Sequence, residues 1–97
     1  MNEKRNIIKE KSFEFALLII EYSELLDDNR KYTVAKQLLR SGTSIGANIR
    51  EAQSSESTKD FIHKMKISVK EAEETEFGYY CANIQKIIPT VVIYSLC

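Results

Sequence analysis

The stretch LLRSGTSIGANIREA, Leu38 to Ala52, decides the fold, because it sets Gly42 and Gly46 four residues apart among small polar residues. Glycine-rich segments bind phosphate when they turn from a strand into a helix and lead into Lys-Ser or Lys-Thr. Here no strand-like segment precedes the glycines, no such pair follows directly, and both glycines fall within a helical pattern. A glycine inside a helix costs about 0.5–1 kcal/mol relative to alanine, so close packing against another helix is the simplest compensation. That helix belongs to the same chain or to a second subunit.

We therefore expect this segment to carry a helix-packing or oligomer motif rather than a phosphate site. Its members are Arg40, Ser41, Gly42, Thr43, Ser44, Ile45, Gly46, Ala47, Asn48 and Ile49.

Outward from that motif, the periodicity predicts three amphipathic helices joined by short turns, at 5–27, 33–54, and 58–77 or slightly beyond. Thr33 is the expected N-cap of the second helix, and Ser57 with Asp60 forms a capping-box variant before the third. The pattern predicts one all-α domain over 1–97, an up-down helical bundle.

Each predicted helix has an apolar stripe that we expect to face the core. In the first helix it comprises Ile8, Phe15, Leu18, Ile19, Tyr22, Leu25 and Leu26. In the second it comprises Val34 or Ala35, Leu38, Gly42, Ile45, Ile49 and Ala52. In the third it comprises Phe61, Ile62, Met65, Val69, Ala72 and Thr75 or Glu76.

The pattern changes after Phe77. The remaining sequence, GYYCANIQKIIPTVVIYSLC, has one charged side chain, Lys86, and its last eight residues, Thr90 to Cys97, have no polar face. A four-helix bundle needs another amphipathic helix, and these twenty residues do not supply a good one. Residues 78–97 are then an atypical C-terminal tail.

Overall charge gives little sign of nucleic-acid binding, since 14 basic and 14 acidic side chains cancel and the pI is about 6.6. Strong duplex binders are usually basic. The longest apolar run, FALLII at 15–20, is too short to cross a bilayer, and no signal peptide is visible. We expect a cytoplasmic protein without a membrane partner.

Local charge leaves one nucleic-acid surface open. The first half of the third predicted helix carries Lys59, Lys64, Lys66 and Lys70. Beside Lys36, Arg40 and Arg50 of the second helix they would form a patch that attracts phosphate without reading sequence. The alternative is that these are ordinary solvated side chains.

No group of residues predicts catalysis, a cofactor or a metal. His63 is the single histidine and has no second ligand at helical spacing, and the serines of the glycine motif have no base beside them. A solvated face is the expected role of Glu71, Glu73, Glu74 and Glu76. Cys81 lies in the tail and is not expected to be a nucleophile. We predict no enzyme, no cofactor and no small-molecule substrate.

Residues 32–77 closely resemble the bacterial four helix bundle protein family, also called the 23S rRNA-intervening sequence protein family. The first predicted helix resembles that of the family, so the resemblance covers about residues 5–77. Its most specific signature is Leu39 to Ile49 followed by Glu51-Ala52. Further matches are Lys59-Asp60-Phe61-Ile62, Lys70-Glu71-Ala72 and Glu74-Thr75-Glu76.

The resemblance implies an up-down antiparallel bundle of the four-helix type, assembly as a homopentamer and no enzymatic activity. Because the sequence departs from the family after Phe77, we expect the fourth helix to be missing or degraded after about residue 77. A similar retroelement accessory protein contacts a reverse transcriptase and nucleic acid, but it is strongly basic. We therefore expect a non-enzymatic, self-associating interaction protein, with RNA or a nucleic-acid enzyme as the candidate partner. The alternatives are a protein-binding adaptor without nucleic-acid contact and an inert frameshifted remnant. A one-nucleotide shift after Phe77 would convert a family-like WLLLCKYSKNYP into GYYCANIQKIIP.

Overall fold

Three helices make up the computed structural model, which describes the backbone of residues 2–87 and the side chains of residues 7–83. They are α1 (Asn2–Asp28), α2 (Tyr32–Gln53) and α3 (Thr58–Ile87), and the described residues contain no strand. The short connections at 29–31 and 54–57 reverse the chain each time, which gives up-down-up order. The all-α prediction is confirmed. No fourth helix occurs in the described residues, and 88–97 lie outside them.

The helix ends are set by local hydrogen bonds. Arg30 has a left-handed φ of 64°, and the Lys31 amide donates to the Leu26 carbonyl at 2.8 Å. This tight reversal leads into α2 at Tyr32, so Lys31 takes the N-cap position that we expected for Thr33. At α3 the Asp60 amide donates to Ser57 Oγ at 3.1 Å, as the capping-box variant predicts.

The third helix is longer than predicted and continues ten residues past Phe77 to Ile87. Gly78 does not end it, because the glycine packs against α2: an added Cβ would lie 2.9 Å from Leu38 Cδ2. One turn later Ala82 is 1% exposed. The expected tail at 78–97 is therefore helical as far as residue 87.

The buried core is small, and α2 lies at its centre. Leu26, Ala35, Leu38 and Ala82 form one buried cluster, with Tyr22 and Val34 packed against it. Most of the predicted α2 stripe is buried, including Gly42, Ile49 and Ala52. α2 packs against both other helices, whereas α1 and α3 share no close backbone contact within the described residues.

Only part of the predicted stripes of α1 and α3 faces α2, which corrects the sequence interpretation. Ile19, Leu26 and Thr75 are buried, but the other stripe members are half-buried or exposed, with Leu18 61% and Val69 57% exposed. The remaining buried side chains of α1 and α3 are small: Ser12, Ser23, Ser68 and Ala82. Small side chains let helix backbones approach closely, so the helices meet through these residues. Part of each large apolar stripe lines the space between α1 and α3 instead.

Candidate interaction surfaces

The two glycines of the motif lie in the contact between α2 and α1. A Cβ added at Gly42 would lie 2.7 Å from Ile19 Cγ2, closer than real side chains approach. A Cβ at Gly46 would lie 3.4 Å from Ser12 Oγ, an ordinary contact distance. Gly42 therefore makes room for a branched side chain of α1, and Gly46 faces a small one. Both glycines are buried, so neither presents its backbone to a ligand.

The same motif contacts α3 on its other side. The hydroxyls of Ser41 and Thr75 share a buried hydrogen bond of 2.8 Å. The Ser68 hydroxyl donates to the Ile45 carbonyl oxygen at 3.0 Å. These bonds cross from α2 to α3, so alternate members of one sequence motif position both neighbouring helices.

The remaining polar members of the motif bond within α2. The Thr43 hydroxyl donates to the Leu39 carbonyl at 2.7 Å, and the Ser44 hydroxyl donates to the Arg40 carbonyl at 2.8 Å. The side-chain amide of Asn48 donates to the Ser44 carbonyl at 2.9 Å. Ala47 is exposed. The described contacts of the motif are those of helix packing within one chain.

Arg40 divides the acidic segment of α3. Its guanidinium donates to Glu71 at 3.2 Å and to Glu74 at 2.9 Å, and the Glu71 side chain is 15% exposed. These two glutamates are therefore interhelix ion-pair partners rather than members of a solvated face. Glu73 and Glu76 are exposed.

The four lysines expected to form a patch do not share one surface. Lys64 faces α2 and pairs with Glu51 at 2.7 Å. Lys59, Lys66 and Lys70 are exposed, at the i, i+7 and i+11 spacing that places them on one side of α3. In the described part of the chain no carboxylate lies within ion-pair distance of these three. The remaining basic stripe is thus narrower than predicted.

An apolar cleft runs between α1 and α3, with a volume of about 540 Å³. Its lining is Phe15, Leu18, Ile19, Tyr22, Ile45, Ala72, Thr75, Glu76, Tyr79 and Tyr80. The rings of Tyr22 and Tyr79 lie 5.4 Å apart across it. Burial, with Tyr79 beside it, raises the pKa of the Tyr22 phenol above its ordinary value.

Other reactive side chains are dispersed. Within the described residues no three His, Cys, Asp or Glu side chains are placed to share a metal ion. His63 and the free Cys81 are both exposed on α3. Among the described residues, no helix combines the length and the apolar character needed to span a bilayer.

The cleft is the feature that sequence reasoning missed, although a signal for it exists. Ser68, Thr75 and Ala82 recur every seven residues, and all three are buried. A heptad stripe of small residues beside a stripe of large ones indicates two packing faces on one helix, one for α2 and one for the cleft.

Comparison with known proteins places this sequence among described relatives. The family model of the 23S rRNA-intervening sequence protein matches residues 4–96, so the similarity runs past Phe77, where we expected it to end. A solved structure from Bacteroides thetaiotaomicron, described as a protein of unknown function from the S23 ribosomal protein family, has 44% sequence identity and a TM-score of 0.83. The match covers 95% of this chain and 83% of that chain. No functionally curated protein matches the sequence. The chain belongs to the 23S rRNA-intervening sequence protein family.

Proposed function

We propose that this chain is a non-enzymatic, self-associating helical-bundle interaction protein. The observation that carries the proposal is the large apolar surface left exposed around a small core, in which seven hydrophobic residues of the described part of the chain are buried. Phe77 is 71% exposed, Leu18 is 61% exposed, and Tyr80 is 54% exposed. Extended apolar patches on small soluble domains mark interaction sites.

The size of the chain also supports association. A domain of 97 residues buries a limited core, and covering apolar surface adds about 25 cal/mol per Å². A stable interface removes roughly 1,200–2,000 Å² of surface from water. The exposed apolar side chains on α1 and α3 are the residues that such an interface would bury.

Light scattering and sedimentation velocity over a range of concentrations test the proposal. We expect a mass that is a multiple of 11.2 kDa, with a pentamer as the state that the family resemblance implies. Replacing exposed apolar side chains, as in Leu18→Gln with Val69→Gln, should lower the mass. Gln37→Ala, an exposed polar position on α2, serves as the matched control. A monomeric wild-type protein at every concentration would contradict the proposal.

Contact with RNA is a second candidate function, and the exposed stripe of Lys59, Lys66 and Lys70 favours it. Such a stripe would bind the phosphate backbone without reading sequence, and its affinity would fall as salt rises. The test is binding of a labelled RNA duplex by the wild type and by Lys66→Glu/Lys70→Glu. Lys36→Glu, an exposed lysine on α2, is the control. Equal binding by all three proteins, or binding indifferent to salt, rejects this candidate.

The alternatives give other outcomes in the same experiments. A protein-binding adaptor would assemble and leave RNA unbound. An inert frameshifted remnant would be insoluble, and restoring the other reading frame after Phe77 would cure this. The proposal places the protein in the cytoplasm, where the free Cys81 thiol stays reduced.

A further inference from the structure

Contacts with α2 show which residues of α1 and α3 lie at the same height along the bundle axis. Near the middle of α2, Gly46 faces Ser12 of α1. The carbonyl of its neighbour Ile45 accepts a hydrogen bond from Ser68 of α3. One turn away along α2, Gly42 faces Ile19 and Ser41 binds Thr75. Both levels give the same offset, because 68 − 12 and 75 − 19 are each 56. A residue of α1 therefore lies at the height of the α3 residue whose number is larger by 56.

This offset aligns carboxylates with ammonium groups. Glu10 lies at the height of Lys66, and Glu14 lies at the height of Lys70. The two glutamates stand two positions before and after Ser12, and the two lysines stand two positions before and after Ser68. Two positions turn a helix by about 200°. Because both serines face α2, all four charged side chains point away from it.

The molecule thus has two unlike flanks at matching heights. The α1 flank comprises Glu10 and Glu14, and the α3 flank comprises Lys66 and Lys70 at the same heights. The 49% exposed Leu17 and the 71% exposed Phe77 continue the two flanks, about one helical turn apart in height. The flanks belong to separate helices that both pack on α2, and each flank faces away from α2. Opposite charges cannot meet within one chain, yet they have the spacing to meet between two.

We propose that the α3 flank of one copy docks on the α1 flank of the next copy, head to tail, with Lys66 beside Glu10 and Lys70 beside Glu14. The inference rests on the proposed self-association and names its surfaces. Equal heights mean that the copies need no shift along the helices, and a rotation that closes then makes a ring. Two α1 flanks facing each other would bring carboxylates together, which disfavours a symmetric contact through that surface.

The ion pair that Glu14 already makes within its own chain is weak. Glu14 has a 3.6 Å contact with Lys11 on its own helix, with both side chains largely exposed. Exposed pairs of this kind contribute little to stability, so exchanging Lys11 for Lys70 of another copy costs little. The interface would use two of the lysines that the RNA candidate needs, and the test must separate the two.

A charge swap within one chain tests the inference. Glu10→Lys/Glu14→Lys and Lys66→Glu/Lys70→Glu should each weaken assembly at low salt by about tenfold, because like charges then meet. The quadruple variant restores opposite charges at every interface of a head-to-tail assembly, so its mass should return to the wild-type value. Contacts between two α1 flanks or two α3 flanks would not be restored. Lys36→Glu/Glu56→Lys is the control for changing surface charge elsewhere.

Sedimentation velocity gives the mass, and circular dichroism confirms that each variant keeps its helicity. If the double variants keep the wild-type mass, or if the quadruple variant stays dissociated, the inference is overturned and self-association stands. A monomeric wild type overturns both. Loss of RNA binding by Lys66→Glu/Lys70→Glu with its mass unchanged assigns these lysines to RNA and also overturns the inference.

Discussion

The two sides of α2 hold their neighbours in different ways. Towards α1 the contact is steric, with Ile19 seated against Gly42 and Ser12 against Gly46. Towards α3 the close contact of Gly78 with Leu38 is joined by polar bonds, and every interhelix ion pair among the described residues lies on that side. A steric contact is sensitive to side-chain volume, whereas a polar contact is sensitive to loss of a partner. One helix can thus position two neighbouring helices by two kinds of contact, using alternate residues of a single motif.

The largest expected effect comes from adding side-chain volume to the contact between α2 and α1. Gly42→Leu should destabilise the bundle by about 3 kcal/mol or more, because Ile19 already occupies the space of a Cβ. Gly46→Leu should also destabilise it, by less, since Ser12 leaves more room. Urea unfolding followed by circular dichroism, with mass by light scattering, measures both. Wild-type melting and mass in both variants would remove the packing role from the motif.

On the polar side, the buried pair of hydroxyls gives the next effect. Thr75→Val should cost about 1–3 kcal/mol, because it leaves the buried Ser41 hydroxyl without its partner on α3. Adding Ser41→Ala should cost less than the two single changes together. Urea unfolding of the two single variants and the double variant gives the coupling energy. Strict additivity would show that the bond contributes nothing.

Removal of the exposed ion pairs should have a smaller effect. Arg40→Ala should cost about 1 kcal/mol at low salt, because the pairs with Glu71 and Glu74 are partly solvated. The loss should shrink in 1 M salt, where the Debye length is about 3 Å. Thermal melts at both salt concentrations check this, with Lys36→Ala as the control. An equal loss at both would indicate that packing of the arginine stem is responsible.

The smallest expected effect is also the sharpest comparison, because two alanine substitutions should have opposite signs. Gly46→Ala should stabilise the protein by about 0.5–1 kcal/mol, since helix propensity improves and the new methyl meets Ser12 at an ordinary distance. Gly42→Ala gains the same propensity but must displace Ile19, so we expect a net loss. Paired melts of the two variants decide the matter. Equal effects would show that Ile19 accommodates a methyl group at position 42.

Sequence periodicity predicted the helices and the buried stripe of α2, because α2 packs on both sides and a repeated pattern identifies its faces. It predicted the inward faces of α1 and α3 only in part. Ile19, Leu26 and Thr75 do pack against α2, but large apolar residues such as Leu18 and Val69 are exposed. The small residues Ser12 and Ser68, which the pattern did not mark, are buried instead. Hydropathy cannot rank a small hydroxylated residue above a leucine for a core position.

The candidate surfaces were only partly predictable for a related reason. The four lysines are close in sequence, but Lys64 lies on the α2 side of the helix and finds Glu51 there. Helical phase was sufficient to separate Lys64 from the other three. The identity of its partner depended on how α2 and α3 pack.

The sequence by itself determined three helices, a glycine motif in phase with a packing face, and family membership. These depend on residue spacing, which local backbone geometry converts directly into faces. Only the tertiary structure decided which helix each glycine meets, which glutamates Arg40 binds, and that α1 and α3 stand apart across an apolar cleft. These depend on distances between segments far apart in the chain, and residue spacing within one helix carries no information about them.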